Sequence, residues 1–339
     1  MVIRINSLGP DNPRPARLLG DVGGTNARFA WQAGDGEPLN DVVTLSCSEF
    51  SSLGDAITSY LTRIGRLSTG GPGQRSALAW CAIGIANPIT GDHVQMTNHD
   101  WSFSINALQR ELKFERLVVI NDFTALALAL PDLTAPDLQQ LGGTTAAPGA
   151  PLALIGPGTG LGVSGLLPTN TPGQWVPLHG EGGHVTLAGN TEREIAVLAL
   201  LRRDFGHASA ERAVSGQGLV AVHAALCELD ERRLDDRPTP ARISELALSG
   251  TDAQCVETLD LFCAFLGNVA GNLALTLGAR GGVYIGGGIV PRLGEAFARS
   301  RFRACFEDKG RFRPYLAQIP VFIINADVSP ALLGAARAL

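Results

Sequence analysis

Residues 17–31 read RLLGDVGGTNARFAW, a glycine-rich turn between two apolar runs, and this stretch decides the fold. Two common phosphate loops do not match it. A dinucleotide-binding loop needs G-x-G-x-x-G running into a helix. Here residues 28–32 alternate apolar and polar side chains, which is typical of a strand. A Walker loop needs Gly-Lys-Ser/Thr, and the two lysines of the chain, Lys113 and Lys309, do not follow a glycine.

The stretch therefore predicts a strand, a tight turn and a second strand. Such a hairpin is either an ordinary Gly-Gly turn or a turn whose exposed N–H groups hold phosphate. Residues 156–165, GPGTGLGVSG, repeat the pattern of residues 20–29, GDVGGTNARF. Two similar halves predict a duplicated α/β unit with a cleft between the copies. Two such turns on either side of a cleft would clamp one polyphosphate, which favours the phosphate-binding interpretation.

Other segments fit the same α/β pattern. Residues 78–85 predict a buried strand, and residues 115–133 predict a strand, a short turn and a helix. Residues 281–300 predict a strand, a glycine triplet and a helix. The final segment predicts a helix with Ser329 as N-cap and Pro330 at the first helical position.

One segment has the length and composition of a membrane span. Residues 261–279 carry no charge. However, Asn268, Asn272 and Thr276 repeat along one helical face, which a helix embedded alone in lipid would not favour. Two glycines four residues apart would let another backbone approach closely. The segment therefore predicts a buried helix in a soluble core, with a transmembrane helix as the alternative.

Composition and charge exclude several classes. A chain of 339 residues is long for one core, so two domains are expected. Its residues are 45% hydrophobic and 17% charged, which is typical of a globular protein. A net charge of −5 argues against a nucleic-acid partner and against an anionic membrane surface. The six cysteines form no C-x-x-C pair, which indicates reduced core residues. The N-terminal residues contain no apolar run of signal-peptide length.

Ordered motifs along the chain resemble bacterial ATP-dependent glucokinases. The stretches are GDVGGTNAR, NPITGD, MTNHDWSFS, INDFTA, GPGTGLGV, GEGGHV, SAERAVSG and GGGIVPR. The resemblance runs from about residue 18 to the end of the chain. It implies an α/β, two-domain actin-like ATPase (ribonuclease H-like) fold with a central interdomain cleft. The implied domains are residues 1–132 with 326–339, and residues 133–325.

The resemblance also implies an activity. The expected reaction transfers the γ-phosphoryl group of Mg-ATP to the 6-hydroxyl of glucose, in a cytoplasmic homodimer. Kinases for another hexose, such as fructose or mannose, remain an alternative. A sugar sensor without catalysis is the alternative from another class. Such a sensor would be expected to lose Asp122 or Asp21, and both carboxylates are present.

Phosphoryl transfer needs positioned groups and a carboxylate that accepts the hydroxyl proton. Asp122 follows an apolar strand, so it is expected at the carboxyl end of that strand, where α/β sheets bind ligands. Alternatively, Asp122 acts only as the N-cap of a helix beginning near Thr124. The resemblance assigns Asp122 as the catalytic base and Asn121 as a sugar ligand. Asp21 suits contact with Mg²⁺, through water, because this ion takes few carboxylates besides phosphate oxygens.

The remaining site residues are implied by the same resemblance. The nucleotide is expected at three glycine-rich segments: Gly20, Asp21, Val22, Gly23, Gly24 and Thr25; Gly158, Thr159 and Gly160; and Gly286, Gly287 and Gly288. Glucose is expected at Glu181, His184 and Glu211. The alternative for Glu181 is a solvated loop acid, and the alternative for His184 is a core or surface histidine without a binding role. Asn98 and His99 border the sugar in this interpretation.

The related repressor/ORF/kinase branch carries zinc, with cysteines clustered soon after its E-G-H motif. Residues 182–200 of this chain contain no cysteine. The missing cysteines therefore predict no zinc, and the resemblance implies ATP and Mg²⁺ as cofactors. That branch also contains repressors with an N-terminal helix-turn-helix, and about 17 residues before the first strand are too few for such a module.

Overall fold

A computed structural model describes residues 15–66, 78–97, 99–233, 236–326 and 329–339. The chain forms two compact units. One comprises Met1–Leu133 with Asp327–Leu339, and the other comprises Thr134–Ala326.

The first unit is an α/β unit. Its strands and helices before the second unit are β1 (Arg17–Val22), β2 (Asn26–Gln32), β3 (Leu39–Ser46), α1 (Leu53–Arg63), β4 (Leu78–Ile85), β5 (His93–Gln95), β6 (Ser102–Ser104), α2 (Ile105–Leu112), β7 (Phe114–Asn121) and α3 (Asp122–Ala129).

The main sheet of the first unit has the strand order β3-β2-β1-β4-β7. Strands β1 to β3 are antiparallel neighbours, whereas β4 and β7 run parallel to β1. Alternate side chains of β1 enter opposite cores, because successive residues of a strand point to opposite faces. Leu18 packs in the core that contains Phe29 and Tyr60. Leu19 packs on the other face, against Leu332. The predicted hairpin is therefore confirmed, and its sheet is covered on both faces.

The second unit continues the alternation of strands and helices. Its elements are β8 (Leu138–Gln140), β9 (Leu152–Pro157), β10 (Leu161–Pro168), β11 (Trp175–Pro177), α4 (Glu192–Phe205), α5 (Gly216–Leu229), α6 (Pro240–Ser249), α7 (Ala253–Leu277), β12 (Val283–Ile285), α8 (Val290–Leu293), α9 (Glu295–Ala298), α10 (Phe302–Glu307), α11 (Arg313–Gln318) and β13 (Val321–Ile324). Helix α12 (Pro330–Arg337) returns to the first unit.

The second sheet repeats the plan of the first and adds β8 as an antiparallel edge strand beside β13. Its order is β11-β10-β9-β12-β13-β8. Strands β9, β10 and β11 are antiparallel neighbours, and β12 and β13 run parallel to β9. In each sheet a glycine turn joins the first strand to an antiparallel partner, while later strands add in parallel on its other side. The repeated motif in the sequence thus corresponds to a repeated sheet.

The long apolar helix begins earlier than the sequence predicted. Helix α7 starts at Ala253, because Asp252 accepts the Cys255 N–H and acts as N-cap. It has the length and hydropathy of a membrane span, but 78% of its apolar window is buried inside the structure. A Cβ added at Gly267 or Gly271 would lie 2.2 or 2.4 Å from a carbonyl oxygen of α10. These glycines therefore let α10 pack directly on α7, as expected for a core helix.

Candidate functional site

The turn of the first hairpin is held by backbone bonds that leave its tip open. The Gly23 N–H donates to the Asn26 carbonyl at 2.9 Å, and the Cys47 N–H donates to the Thr25 carbonyl at 2.8 Å. The Cys47 thiol donates to the Gly23 carbonyl at 3.4 Å. Within the described residues, no backbone carbonyl accepts from the N–H of Gly24 or Thr25. These two N–H groups can therefore donate to an anion. Gly20 and Val22 are buried in β1 below the turn.

Asp21 lies directly before this turn and is held by a residue from the far end of the chain. The Ser329 hydroxyl donates to Asp21 Oδ2 at 2.6 Å, and the Arg28 guanidinium lies 3.9 Å from the same oxygen. The sequence placed Ser329 at the start of α12, which is confirmed. Ser329 occupies the N-cap position as predicted, but its hydroxyl makes no cap hydrogen bond to the helix. The hydroxyl binds Asp21 instead, and no local sequence signal indicates this contact.

Asp122 is the first residue of α3, but the neighbouring Asn121 caps that helix. Asn121 Oδ1 accepts the N–H groups of Phe123 and Thr124 at 2.9 and 3.1 Å. The helix thus begins two residues before the expected Thr124. Asp122 Oδ1 accepts the Phe123 N–H at 2.8 Å and the Asn121 side-chain N–H at 3.0 Å. Within the described residues, Asp122 Oδ2 has no hydrogen-bond donor, so this oxygen is available to a ligand.

The environment of Asp122 raises the pKa of its carboxyl group. Burial raises the pKa of Asp122 to about 6, and the nearby carboxylate of Asp21 adds to the rise, while the Phe123 N–H opposes it. The close approach of these elements depends on Gly84 of β4. A Cβ at Gly84 would lie 3.0 Å from the Ala125 Cβ and 3.6 Å from the Asp122 Cα. A side chain there would push α3 away from the sheet.

Asn87 is a site residue that the sequence analysis did not single out. It lies in the NPITGD stretch and is 9% exposed. Its Oδ1 accepts the N–H and the hydroxyl of Thr97 at 3.1 and 2.7 Å, and its carbonyl accepts from the Asn121 side chain at 3.4 Å. Asn87 therefore orders the loop beside Asn121. Asn98 lies outside the described residues, and the ring of His99 accepts the Trp101 N–H at 3.3 Å.

In the second unit, the GEGGHV motif forms a short turn packed on β10. A Cβ at Gly183 would lie 2.1 Å from the Leu161 carbonyl oxygen, so only glycine lets the turn approach this closely. Glu181 and His184 flank the turn and are exposed. The His184 N–H donates to the Glu181 carbonyl at 3.0 Å. Neither side chain has a hydrogen-bond or ion-pair partner within the described residues, so both are free to bind a ligand.

Glu211 makes hydrogen bonds to two turns of the second unit. Its carboxylate accepts the Leu161 N–H at 2.9 Å, at the end of the Gly158–Gly160 turn. Its own N–H donates to the Gly183 carbonyl at 2.8 Å. Glu211 thus joins the second glycine turn to the GEGGHV turn. This bridging contact was not predicted from the sequence, because a SAER motif says nothing about its partner.

The second glycine turn matches the first in its hydrogen bonds. The Gly158 N–H donates to the Gly160 carbonyl at 2.8 Å, while no backbone carbonyl of the described chain accepts from Thr159 or Gly160. The Gly216 N–H, at the start of α5, donates to the Gly158 carbonyl at 2.8 Å. A cavity of about 280 Å³ beside the turn is lined by Thr159, Glu211 and the first turns of α5.

The glycine triplet follows β12. The Gly286 N–H donates to the Ile155 carbonyl at 2.9 Å, which holds the triplet against β9. Gly287 and Gly288 are exposed. A stretch of bare backbone therefore lies beside the strand that leads into the second glycine turn.

These features define a class of protein. Each unit carries an antiparallel hairpin with an open glycine turn and parallel strands on the other side of the first strand. This plan is that of a two-domain α/β protein with the actin-like ATPase fold.

Comparison with known proteins identifies the family. The Glucokinase family model matches residues 18–339. The chain is 54% identical over 323 residues to the glucokinase of Chromobacterium violaceum, covering 95% of this chain and 89% of that protein. It is 54% identical over 327 residues to the glucokinase of Aromatoleum aromaticum, covering 95% and 94%. A solved glucokinase from an Antarctic psychrotroph shares 34% identity and a TM-score of 0.83, covering 96% of this chain and 98% of that structure. The chain belongs to the glucokinase family.

Proposed function

We propose that the protein is an ATP-dependent glucokinase, which converts glucose and ATP to glucose 6-phosphate and ADP. The observation that carries the proposal is the half-buried carboxylate of Asp122, at the carboxyl end of a parallel strand and near Asp21, in a chain of the glucokinase family. A pKa of about 6 leaves this carboxylate ionised at neutral pH yet able to accept a proton.

Asp122 Oδ2 acts as the general base. Its Oδ1 is held by two N–H donors, so Oδ2 accepts the proton of the sugar 6-hydroxyl. The hydroxyl oxygen forms a bond to the γ-phosphorus, and the bond between that phosphorus and the β,γ-bridging oxygen breaks. ADP leaves with the electron pair of this bond. Asn121 orients the base by donating to Asp122 Oδ1. A sugar hydroxyl at Asn121 would replace the long 3.4 Å contact between its side-chain N–H and the Asn87 carbonyl.

The two glycine turns bind the phosphates. Gly24 and Thr25 in the first unit, and Thr159 and Gly160 in the second, direct N–H groups to phosphate oxygens. Gly23 and Gly158 close the two turns through their own N–H groups and lie beside the phosphates. The glycine triplet accommodates the adenosine. Asp21 suits a magnesium ion because it is a single, partly exposed carboxylate whose orientation is set by the Ser329 hydroxyl. When bound, Mg²⁺ neutralises phosphate charge.

Glu181 and His184 bind glucose hydroxyls, since both are exposed and free of protein partners. Glu211 contributes by holding their turn against the second glycine turn, and its remaining acceptor capacity is available to the sugar. The two compact units act as the small and large domains of the enzyme.

Further parts of the proposal rest on family membership. The protein is proposed to be a cytoplasmic homodimer that uses Mg²⁺. No zinc takes part in this chemistry, and residues 182–200 lack the cysteines that hold zinc in the related branch.

A coupled assay for ADP release tests the proposal. Glucose should support turnover that requires both ATP and Mg²⁺, whereas fructose and mannose should support much less. Turnover mainly with another hexose would assign a different substrate. Saturable glucose binding without ADP release would indicate a sugar-binding regulator instead.

A further inference from the structure

The second unit contains a cluster of metal-ligating side chains away from the turns described above. Donor atoms of His223, Asp252 and Cys255 all lie within 4.8 Å of one another. Cys227 Sγ lies 3.9 Å from the ring nitrogens of His223. His223 and Cys227 are one turn apart on α5, and Asp252 and Cys255 form the first turn of α7. Two packed helices thus bring H-x-x-x-C and D-x-x-C together.

We propose that His223, Cys227, Asp252 and Cys255 form a structural zinc site that joins α5 to α7. One imidazole, two thiolates and one carboxylate are ligands that Zn²⁺ takes in tetrahedral sites. Ligand atoms around tetrahedral zinc lie roughly 3.3–3.8 Å apart, given its bond lengths. The donor atoms of His223, Asp252 and Cys255 need side-chain adjustments of about an ångström. Cys227 Sγ lies 3.9 Å from both ring nitrogens of His223, so its side chain must turn toward the ion.

The burial of the cluster favours a metal over a solvated acidic surface. His223, Cys227 and Cys255 are 3%, 0% and 1% exposed, so a bound ion would be shielded from water. Asp252 holds Cys255 in place, because its Oδ1 accepts the Cys255 N–H at 2.9 Å.

The charges around the cluster also suit the ion. The guanidinium of Arg232 contacts both Asp252 oxygens, at 3.1 and 2.6 Å. Two thiolates, one carboxylate, one zinc ion and this guanidinium are together neutral. Asp252 can keep one oxygen on Arg232 while the other binds the metal, so that Arg232 orients the ligand. The next acidic group, Asp230, is paired with Arg193 at 2.6 Å.

Metal binding at this site must displace thiol protons. Burial raises the pKa of the Cys255 thiol to about 11, and the Asp252 carboxylate adds to the rise. Burial also raises the pKa of Cys227. Coordination by both thiolates therefore releases two thiol protons to solvent.

The sequence analysis predicted no zinc because residues 182–200, where the related branch has its zinc ligands, contain no cysteine. Cys227 and Cys255 belong to different helices, and only the packing of α5 on α7 brings their ligand sets together. The proposed site also differs in place from the zinc site of the related branch, which follows the E-G-H motif.

Cobalt titration of the metal-stripped full-length protein tests the proposal. Co²⁺ should bind at one equivalent per chain, with the near-ultraviolet band of thiolate–cobalt charge transfer, and Zn²⁺ should abolish that band. Cys255→Ser should weaken Co²⁺ binding by at least about 10–100-fold. Mutating residues that only hydrogen-bond to metal ligands already lowers metal affinity by this factor. Cys305→Ser is the matched control, because this half-exposed cysteine of α10 is outside the cluster.

A second variant keeps the test decisive if Cys255→Ser does not fold. Asp252→Asn retains an oxygen that can cap α7 but loses the ligand charge, and it should also weaken Co²⁺ binding. The proposal is overturned if the wild type gives no saturable thiolate–cobalt band. It is also overturned if the band is unchanged in the folded variants. The readout is spectroscopic, so it is independent of kinase activity.

Discussion

Replacing the proposed base by its amide should raise stability while it removes activity. Asp122→Asn keeps the size of the side chain and an Oδ1 that can accept the Phe123 N–H. The amide cannot take the hydroxyl proton, so turnover should fall by about 10²–10⁴. At the same time, the variant no longer buries a carboxylate next to Asp21. We therefore expect a less active but more stable protein above pH 6.

The size of the stabilisation follows from the pKa of Asp122, which rises from 3.8 to about 6 on folding. A folded chain with the higher pKa binds this proton more tightly than the unfolded chain does. The wild type therefore loses stability as the pH rises from about 4 to about 6, and the deficit stays constant above that range. Two pKa units correspond to roughly 3 kcal/mol. The buried amide has its own desolvation cost, so a gain of about 1–3 kcal/mol is expected.

Urea unfolding at several pH values measures this gain. The difference between Asp122→Asn and wild type should be near zero below pH 4 and reach its plateau above pH 6.5. Glu115→Gln is the control, because it removes an exposed carboxylate from the same strand, β7. Equal stability of Asp122→Asn and wild type at pH 7.5 would refute the reasoning that Asp122 is ionised at a desolvated position. Wild-type turnover in the variant would refute its role as base.

Three further predictions concern the same sites. For wild type, kcat/KM for glucose should fall about tenfold per pH unit below pH 6, as Asp122 becomes protonated; a profile flat to pH 5 would contradict this. Asp21→Ala should raise the Mg²⁺ concentration needed for activity and leave glucose binding nearly unchanged, and Ser329→Ala should shift the same titration less, because it only frees the Asp21 carboxylate. A loss of glucose affinity with unaltered Mg²⁺ dependence would place Asp21 in the sugar site instead. Glu211→Gln should raise the KM values for both ATP and glucose, since Glu211 joins the second glycine turn to the GEGGHV turn; a change in the glucose KM alone would show a sugar contact without the bridging role.

Local patterns in the sequence predicted the architecture well. The alternation around the first glycine turn predicted the hairpin β1–β2, and the repeated motif at residues 156–165 predicted the hairpin β9–β10. Asp122 was predicted at the carboxyl end of its strand, where it lies. These features depend on backbone conformation and on the period of a strand, which neighbouring residues determine.

Contacts between distant residues were decided by the tertiary structure. Ser329 binds Asp21 across 308 positions of sequence, and Glu211 binds the Leu161 N–H across 50. A hydroxyl or a carboxylate can serve as a cap, a surface group or a ligand, and its local sequence is compatible with each. The role is selected by the one packing arrangement that brings a partner within hydrogen-bond distance.

The sequence by itself thus determined the strands, the glycine turns and the polar residues that follow them, because these depend on near neighbours. The environment of Asp122 was decided only by folding: burial raises its pKa, and the bare backbone of Gly84 lets α3 lie against the sheet. The grouping of His223 with Cys255 likewise exists only where α5 packs on α7. Desolvation and ligand geometry are properties of atoms close in space, and spacing along the chain does not encode them.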